Sequence, residues 1–151
     1  MGVLSRLFGG GREREVLEDV VQAYRAERQQ AELLTRNAER ARYPQAAEAM
    51  RRLAEEETRH AERLRQHLHV LGGDLPTVEP LAVVGNSQWE RTVSAYEAAQ
   101  SKRRRLIELV SHWDPDEPEL ATLLREIAED EQRHFSVYEA VIMRSDPQAI
   151  D

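Results

Sequence analysis

Four long stretches of the chain contain neither glycine nor proline, about residues 13–42, 45–71, 88–113 and 119–144. Apolar residues recur along each stretch at spacings of three and four, which is the period of an amphipathic α-helix. Short breaks at Pro44 and at "DPDEP" (114–118) join the first helix to the second and the third to the fourth. This pattern predicts an all-α four-helix bundle over residues 13–144. A flexible N-terminal tail (1–12) and a C-terminal tail (145–151) are expected on either side.

The segment between the second and third helices, residues 72–87, is longer than a simple turn needs. Antiparallel helices would leave their ends nearly touching, whereas parallel helices would require the segment to cover ~35 Å at 1.5 Å per helical residue. Sixteen residues span at most ~53 Å. We therefore predict a long crossover between parallel helices two and three. Helix two should end at Gly72-Gly73, and capping boxes are expected at Ser87/Glu90 and Asp116/Glu119.

The amino-acid composition argues against several classes of function. The net charge is −7, which argues against a nucleic-acid surface. The chain has no cysteine, so it can form neither disulfides nor thiolate metal centres. No apolar run approaches the ~20 residues of a membrane helix. We expect a cytoplasmic protein that binds neither nucleic acid nor membrane.

An acidic phrase occurs twice, as "LAEEETRH" at 53–60 and as "IAEDEQRH" at 127–134. In each copy a Glu and a His, Glu57 with His60 and Glu131 with His134, take consecutive positions in an apolar stripe. Residues at i and i+3 share a helix face and can bind one metal ion together. Burying a carboxylate without a partner costs several kcal/mol. Two copies therefore indicate a metal site rather than a solvated face.

The other two helices offer further acids. Glu27 is the acid in the inward stripe of helix one, and Glu97 is the acid in a stripe on helix three with Val93, Gln100, Ile107 and Val110. Residues at one height in a helical hairpin are equidistant from its turn. The midpoint of Glu27 and Glu57 is residue 42, and that of Glu97 and Glu131 is residue 114, both at predicted turns. Six residues should thus bind two divalent cations, and the oxygen and imidazole ligands suit iron or manganese, with zinc also possible: Glu27, Glu57, His60, Glu97, Glu131 and His134.

This pattern resembles the ferritin-like di-iron carboxylate superfamily, and within it the bacterioferritin and rubrerythrin types. One Glu from each of two helices and Glu-x-x-His from each of the other two is the ligand set of such bundles. The resemblance covers about residues 13–144. It implies that Glu57 and Glu131 bridge the metals as catalytic residues, that Glu27 and Glu97 are terminal ligands, and that His60 and His134 each cap one metal.

The implied function is a ferroxidase- or peroxidase-like oxidoreductase that oxidises ferrous iron with dioxygen or hydrogen peroxide, in iron or peroxide handling. The chain has no Cys-rich domain, so a peroxidase role needs an external electron donor. A homo-oligomer, such as a dimer, is expected. Two alternatives remain: an oxidase or oxygenase for an organic substrate, which predicts an apolar pocket beside the metals, and a non-catalytic metal-binding bundle.

Two further features have more than one interpretation. The first is "KRRR" (102–105): either all four cationic side chains extend into solvent, or Arg104 points inward beside a ligand carboxylate. Three tyrosines, Tyr24, Tyr96 and Tyr138, either pack in the core or serve the site as hydrogen-bond partners or one-electron donors.

Overall fold

The computed structural model describes the backbone of residues 3–150 and the side chains of residues 10–150. It contains four helices: α1 (Val3–Glu39), α2 (Pro44–Val70), α3 (Gln88–Trp113) and α4 (Pro118–Arg144). The predicted all-α four-helix fold is confirmed. Within the described residues, none of the helices is both long enough and apolar enough to cross a membrane.

The first helix begins earlier than the predicted boundary at residue 13. Helix α1 starts at Val3 and runs through Gly10 and Gly11, so residues 3–12 of the predicted tail have helical backbone. Both glycines are exposed, and a Cβ at either would meet nothing within 4 Å. A glycine inside a helix costs about 1 kcal/mol relative to alanine, which weakens a helix without ending it. At the other end α4 stops at Arg144, and residues 145–150 are not helical.

The helices form two antiparallel hairpins. Helix α1 packs on α2 and α3 packs on α4, while α1 also contacts α3 and α2 contacts α4. Contacts between α1 and α3 run in opposite directions, because Gln30 Nε2 donates to the Ala95 carbonyl at 3.0 Å and Trp113 Nε1 donates to Asp19 Oδ2 at 2.8 Å. Helix α3 is therefore parallel to α2, and the predicted long crossover is confirmed.

The crossover segment lies along α1. Gln29 Nε2 donates to the Glu79 carbonyl at 2.7 Å, and Arg25 and Arg36 donate to the carbonyls of Thr77 and Leu81 at 3.4 Å. These side chains satisfy carbonyl groups that no helix or sheet would satisfy. Helix α1 thus holds the crossover in an extended path between the two hairpins.

The predicted signals at two helix ends are present. Gly72 has φ of 75°, and the Gly73 N–H donates to the Leu68 carbonyl at 3.0 Å, which closes α2 as a glycine cap does. Ser87 Oγ accepts from the Glu90 N–H at 3.1 Å, and Glu90 Oε2 accepts from the Asn86 N–H at 2.7 Å.

The second predicted capping box is absent. Helix α4 begins at Pro118, and its N-cap Glu117 makes no side-chain cap bond. Proline suits this first position because it has no N–H that needs a partner. Pro118 therefore replaces the expected Asp116/Glu119 pair as the start signal.

The apolar core is in two parts. One cluster includes Val20, Leu64 and Trp113, and the other, toward the opposite end of the bundle, includes Leu34, Met50 and Tyr138. Charged residues lie between the two clusters. The core thus isolates one polar layer in the middle of the bundle.

Candidate metal centre

Three glutamates on different helices form the middle layer. Glu27 on α1, Glu57 on α2 and Glu131 on α4 each have 0% of their surface exposed. Each glutamate lies three or four residues from apolar residues on the same face of its helix. Because that face packs into the core, the glutamate is buried with it. These three predicted residues are brought together by the fold.

Two histidines face the same layer. His60 Nδ1 lies 3.6 Å from Glu27 Oε2 and 3.5 Å from Glu131 Oε1, and His134 Nδ1 lies 3.4 Å from Glu57 Oε1. The two imidazole rings are stacked with centroids 6.0 Å apart. Five of the six predicted ligands therefore converge at one level.

Asp130 fixes the orientation of His60. Its Oδ2 lies 2.9 Å from His60 Nε2, which leaves Nδ1 directed at the carboxylates. Metal-binding histidines commonly use the second ring nitrogen in this way. Burial alone would lower the pKa of His60, but the carboxylates of Glu131 and Glu27 outweigh it and raise the pKa to about 9.

Lys102 on α3 occupies the centre of the layer. Its Nζ donates to Glu27 Oε2 at 2.8 Å and to Glu57 Oε2, and lies 2.9 Å from Glu131 Oε1. Burial opposes the charge on this ammonium, but the three carboxylates outweigh burial and hold the pKa of Lys102 well above its usual value. Burial would likewise raise the pKa of Glu27, yet Lys102 and the neighbouring hydrogen bonds lower it.

Glu97, the sixth predicted ligand, is not part of the layer. It is exposed, and so is Ile107 of the same predicted stripe, which shows that the predicted inward face of helix three is wrong. Ala95 and Ala99 are almost completely buried instead, and such small side chains let α3 approach α1 closely. Arg104 is exposed as well, and the inward cation of "KRRR" is Lys102.

A signal for this arrangement was present in the sequence. The buried face of α3 follows the spacing of three and four without a break, through Thr92, Ala95, Ala99, Lys102, Leu106, Leu109 and Trp113. Lys102 interrupts this stripe as Glu57 and Glu131 interrupt theirs. Glu97 lies on the neighbouring stripe of the same helix. Its height in the hairpin does not distinguish it from Lys102, because the midpoint of Lys102 and Glu131 also falls in the turn between α3 and α4.

The donor atoms of the layer fit a metal ion. Among the described residues, several of its buried polar atoms have no hydrogen-bond partner: Oε1 of Glu27, Oε1 of Glu57, both carboxylate oxygens of Glu131, and Nδ1 of His60 and of His134. Buried polar atoms are rarely left in this state. Ligand atoms of Glu27, Glu57, His60 and Glu131 all lie within 4.8 Å of one another. Carboxylate and imidazole donors at this spacing suit a divalent transition metal.

A surface cleft between α2 and α4 reaches the layer at His134, whose side chain is 12% exposed. The cleft has a volume of about 700 Å³. Its lining is largely charged and includes Arg52, Glu56, Arg59, Asp130 and Arg133. It offers a path from solvent to the histidine side of the centre.

Two stacked tyrosines, Tyr138 and Tyr96, lie between α3 and α4. The hydroxyl of Tyr138 accepts from Gln30 Nε2 at 2.9 Å, and burial raises its pKa. Its ring stacks on Tyr96 with centroids 5.5 Å apart, and the Tyr96 hydroxyl donates to Glu139 at 2.6 Å. Tyr24 packs in the apolar cluster with Val20.

The fold and this layer together define a ferritin-like four-helix bundle with a buried carboxylate–histidine cluster. The sequence model of the Rubrerythrin family matches residues 18–142, and the chain belongs to that family. Among solved structures, the crystal structure of BfrA from M. tuberculosis is similar, with a TM-score of 0.76 and 18% sequence identity over 83% of this chain and 81% of that one. A comparison with curated protein sequences gave no match.

Proposed function

We propose that this protein binds iron at the buried layer and oxidises ferrous iron with dioxygen or hydrogen peroxide, in iron or peroxide handling. One observation carries the proposal: three fully buried carboxylates and two imidazoles converge in one layer, and each has at least one buried donor atom without a hydrogen bond. Membership of the Rubrerythrin family supports it. The similarity to BfrA supports the fold.

The ligands we propose are Glu27, Glu57, His60, Glu131 and His134. Ferrous iron bound there would supply one electron per ion, and dioxygen or hydrogen peroxide would be reduced by these electrons with protons taken from solvent. Side chains of the protein orient the ligands and shield the layer. Asp130 keeps His60 Nδ1 directed at the carboxylates, and His60 must release its proton before this nitrogen can bind a metal. The apolar clusters on both sides of the layer separate it from solvent except at the cleft beside His134.

A second candidate function, oxidation of an organic substrate, has one observation in its favour. An apolar cleft of about 370 Å³, lined in part by Tyr43, Ala46 and Val141, shares Ala49 and Val137 with the charged cleft at His134. The part of the cleft that reaches the layer is nevertheless charged, which suits ions and peroxide better than an apolar substrate.

Iron oxidation tests the proposed function directly. Chain loaded anaerobically with ferrous iron is exposed to air or peroxide, and bound iron and remaining ferrous iron are measured over time. We expect the wild type to bind iron and oxidise it faster than buffer, and Glu57→Ala and Glu131→Ala to lose both properties. Glu97→Ala is the matched control, since Glu97 is exposed and its loss should change neither. Absence of iron binding by the wild type would contradict the proposal and favour a structural bundle.

A further inference from the structure

The geometry points to Lys102 as a substitute for one of the two cations that this ligand pattern otherwise holds, so that the centre binds a single divalent metal ion per chain. The inference rests on the proposed function, because the same layer must bind metal. It goes further in that it fixes the number of ions and assigns a role to a residue outside the expected ligand set.

The contacts of Lys102 are those of a cation shared by all three acids. Its ammonium bonds Glu27 and Glu57 and lies 2.9 Å from Glu131. Every carboxylate of the layer therefore already has one positive partner. An ammonium has three hydrogens to donate and none to accept, which matches three carboxylates.

The direction of the side chain is itself informative. Lysine side chains near a surface normally extend their charged end to water. The Lys102 side chain is only 5% exposed, whereas its neighbours Arg104 and Arg105 are exposed. Lys102 lines a small cavity between α1 and α3 together with the apolar residues Ala23, Leu106 and Leu109. Its charged end points away from solvent, to the carboxylates of the layer.

Charge balance sets the number of ions. Three carboxylates and one ammonium leave two negative charges, which a single divalent cation cancels when both imidazoles are neutral. A second divalent cation would leave two positive charges in a buried site, at a cost of several kcal/mol per uncompensated ion. A fourth acid in place of Lys102 would restore the balance for two divalent cations.

The number of available ligand atoms also indicates one ion per chain. In two-metal bundles each of the four helices contributes a carboxylate, but α3 here contributes an ammonium. The ligand atoms that lie within 4.8 Å of one another come from Glu27, Glu57, His60 and Glu131, and His134 is outside this group. A second ion would have to bind without a carboxylate ligand from α3. We therefore place the single ion with the group that contains His60. His134, whose Nδ1 lies 3.4 Å from Glu57 Oε1, is then the one ligand proposed above that this ion leaves unused.

Counting manganese tests the inference on the wild-type chain. Metal-free protein is titrated anaerobically with Mn²⁺, bound metal is measured after dialysis, and the EPR spectrum of the bound ion is recorded. We expect about one ion per chain by charge balance, with the spectrum of an isolated ion. About two ions per chain with an exchange-coupled spectrum would overturn the inference and leave the proposed function standing. No bound metal would overturn both.

A charge-reversal pair sharpens the result. Lys102→Glu supplies the missing carboxylate, and we expect it to bind about two manganese ions with exchange coupling, as the four-carboxylate pattern does. Arg104→Glu makes the same charge change at an exposed position of the same helix and should still bind about one. Equal ion counts in Lys102→Glu and the wild type would overturn the inference. Should Lys102→Glu fail to fold, the wild-type ion count decides alone.

Discussion

Lys102 and the three glutamates around it stabilise one another, and none of them is suited to burial alone. Each carboxylate is completely buried, and the ammonium lies among them with a raised pKa. When one partner of a buried ionic group is removed, the free energy of unfolding typically falls by more than the intact group contributed. The reason is that the remaining charges stay in a low dielectric without compensation. The metal-free chain should therefore be most sensitive at this residue.

We expect Lys102→Met to lower the free energy of unfolding of the metal-free protein by roughly 3–5 kcal/mol. Methionine keeps much of the stem but leaves the carboxylates without their cation. Urea unfolding in the presence of a chelator measures the change. Arg104→Met is the control and should stay within about 0.5 kcal/mol of the wild type, as exposed substitutions do. Equal effects of the two substitutions would contradict the buried position of Lys102.

His60 makes the stability of the metal-free protein depend on pH. Its pKa is about 9 in the folded chain, against 6.5 for an ordinary histidine side chain. Because the folded state favours the protonated form, the contribution is complete below pH 6.5 and is lost as pH rises through 9. The shift corresponds to roughly 3 kcal/mol. Unfolding measured from pH 6 to 10 should show this loss in the wild type and lack it in His60→Gln, and parallel curves for the two would rule it out.

At the scale of single helices, three of the four inward faces could be read from sequence. On α1, α2 and α4 the apolar residues define one stripe, and the buried acids fall on it. On α3 two stripes compete, because its inward face contains the small residues Ala95 and Ala99 and a lysine. Both stripes keep helical spacing, so spacing alone does not choose between them, and the packing of α3 in the bundle decides.

Helix boundaries, like the inward faces, can be predicted from sequence only in part. Gly72-Gly73 ends α2 because a positive φ is needed there, whereas Gly10 and Gly11 lie inside α1 with helical backbone. Glycine permits both conformations, so its presence alone does not identify an end.

Two glycine substitutions should therefore act in opposite directions. Gly72→Ala places a Cβ on a residue with φ of 75° and should destabilise the protein by about 1–2 kcal/mol. Gly11→Ala adds a Cβ that meets nothing within 4 Å inside a helix and should stabilise it by up to about 1 kcal/mol. Thermal or urea unfolding compares the two. No gain from Gly11→Ala would show that residues 10–12 do not contribute a stable helix.

At the scale of the whole molecule, the crossover and the central layer are coupled. The long connection makes α2 and α3 parallel, and this pairing brings Lys102 to the height of Glu57. The linker length predicted this topology because a short loop would have sufficed for antiparallel neighbours. The prediction of two ions assumed that Glu97 faces inward, whereas the rotation of α3 exposes Glu97 and turns Lys102 toward Glu57.

Metal binding should stabilise the whole bundle, because the layer joins all four helices. A ligand that binds only the folded state at one hundred times its Kd adds about 2.7 kcal/mol. We expect excess Mn²⁺ to raise the Tm of the wild type and to leave that of Glu57→Gln nearly unchanged. Equal shifts in both would place the metal outside the layer.

The position of the bound ion is the most direct test of the central claim. Crystals grown with Mn²⁺ give an anomalous difference map that locates the metal. We predict one strong peak within coordination distance of Glu27, Glu57, His60 and Glu131, with Lys102 beside it. A peak confined to the exposed cluster of Glu15, Asp19 and His112, or no peak at all, would contradict a metal centre in the buried layer.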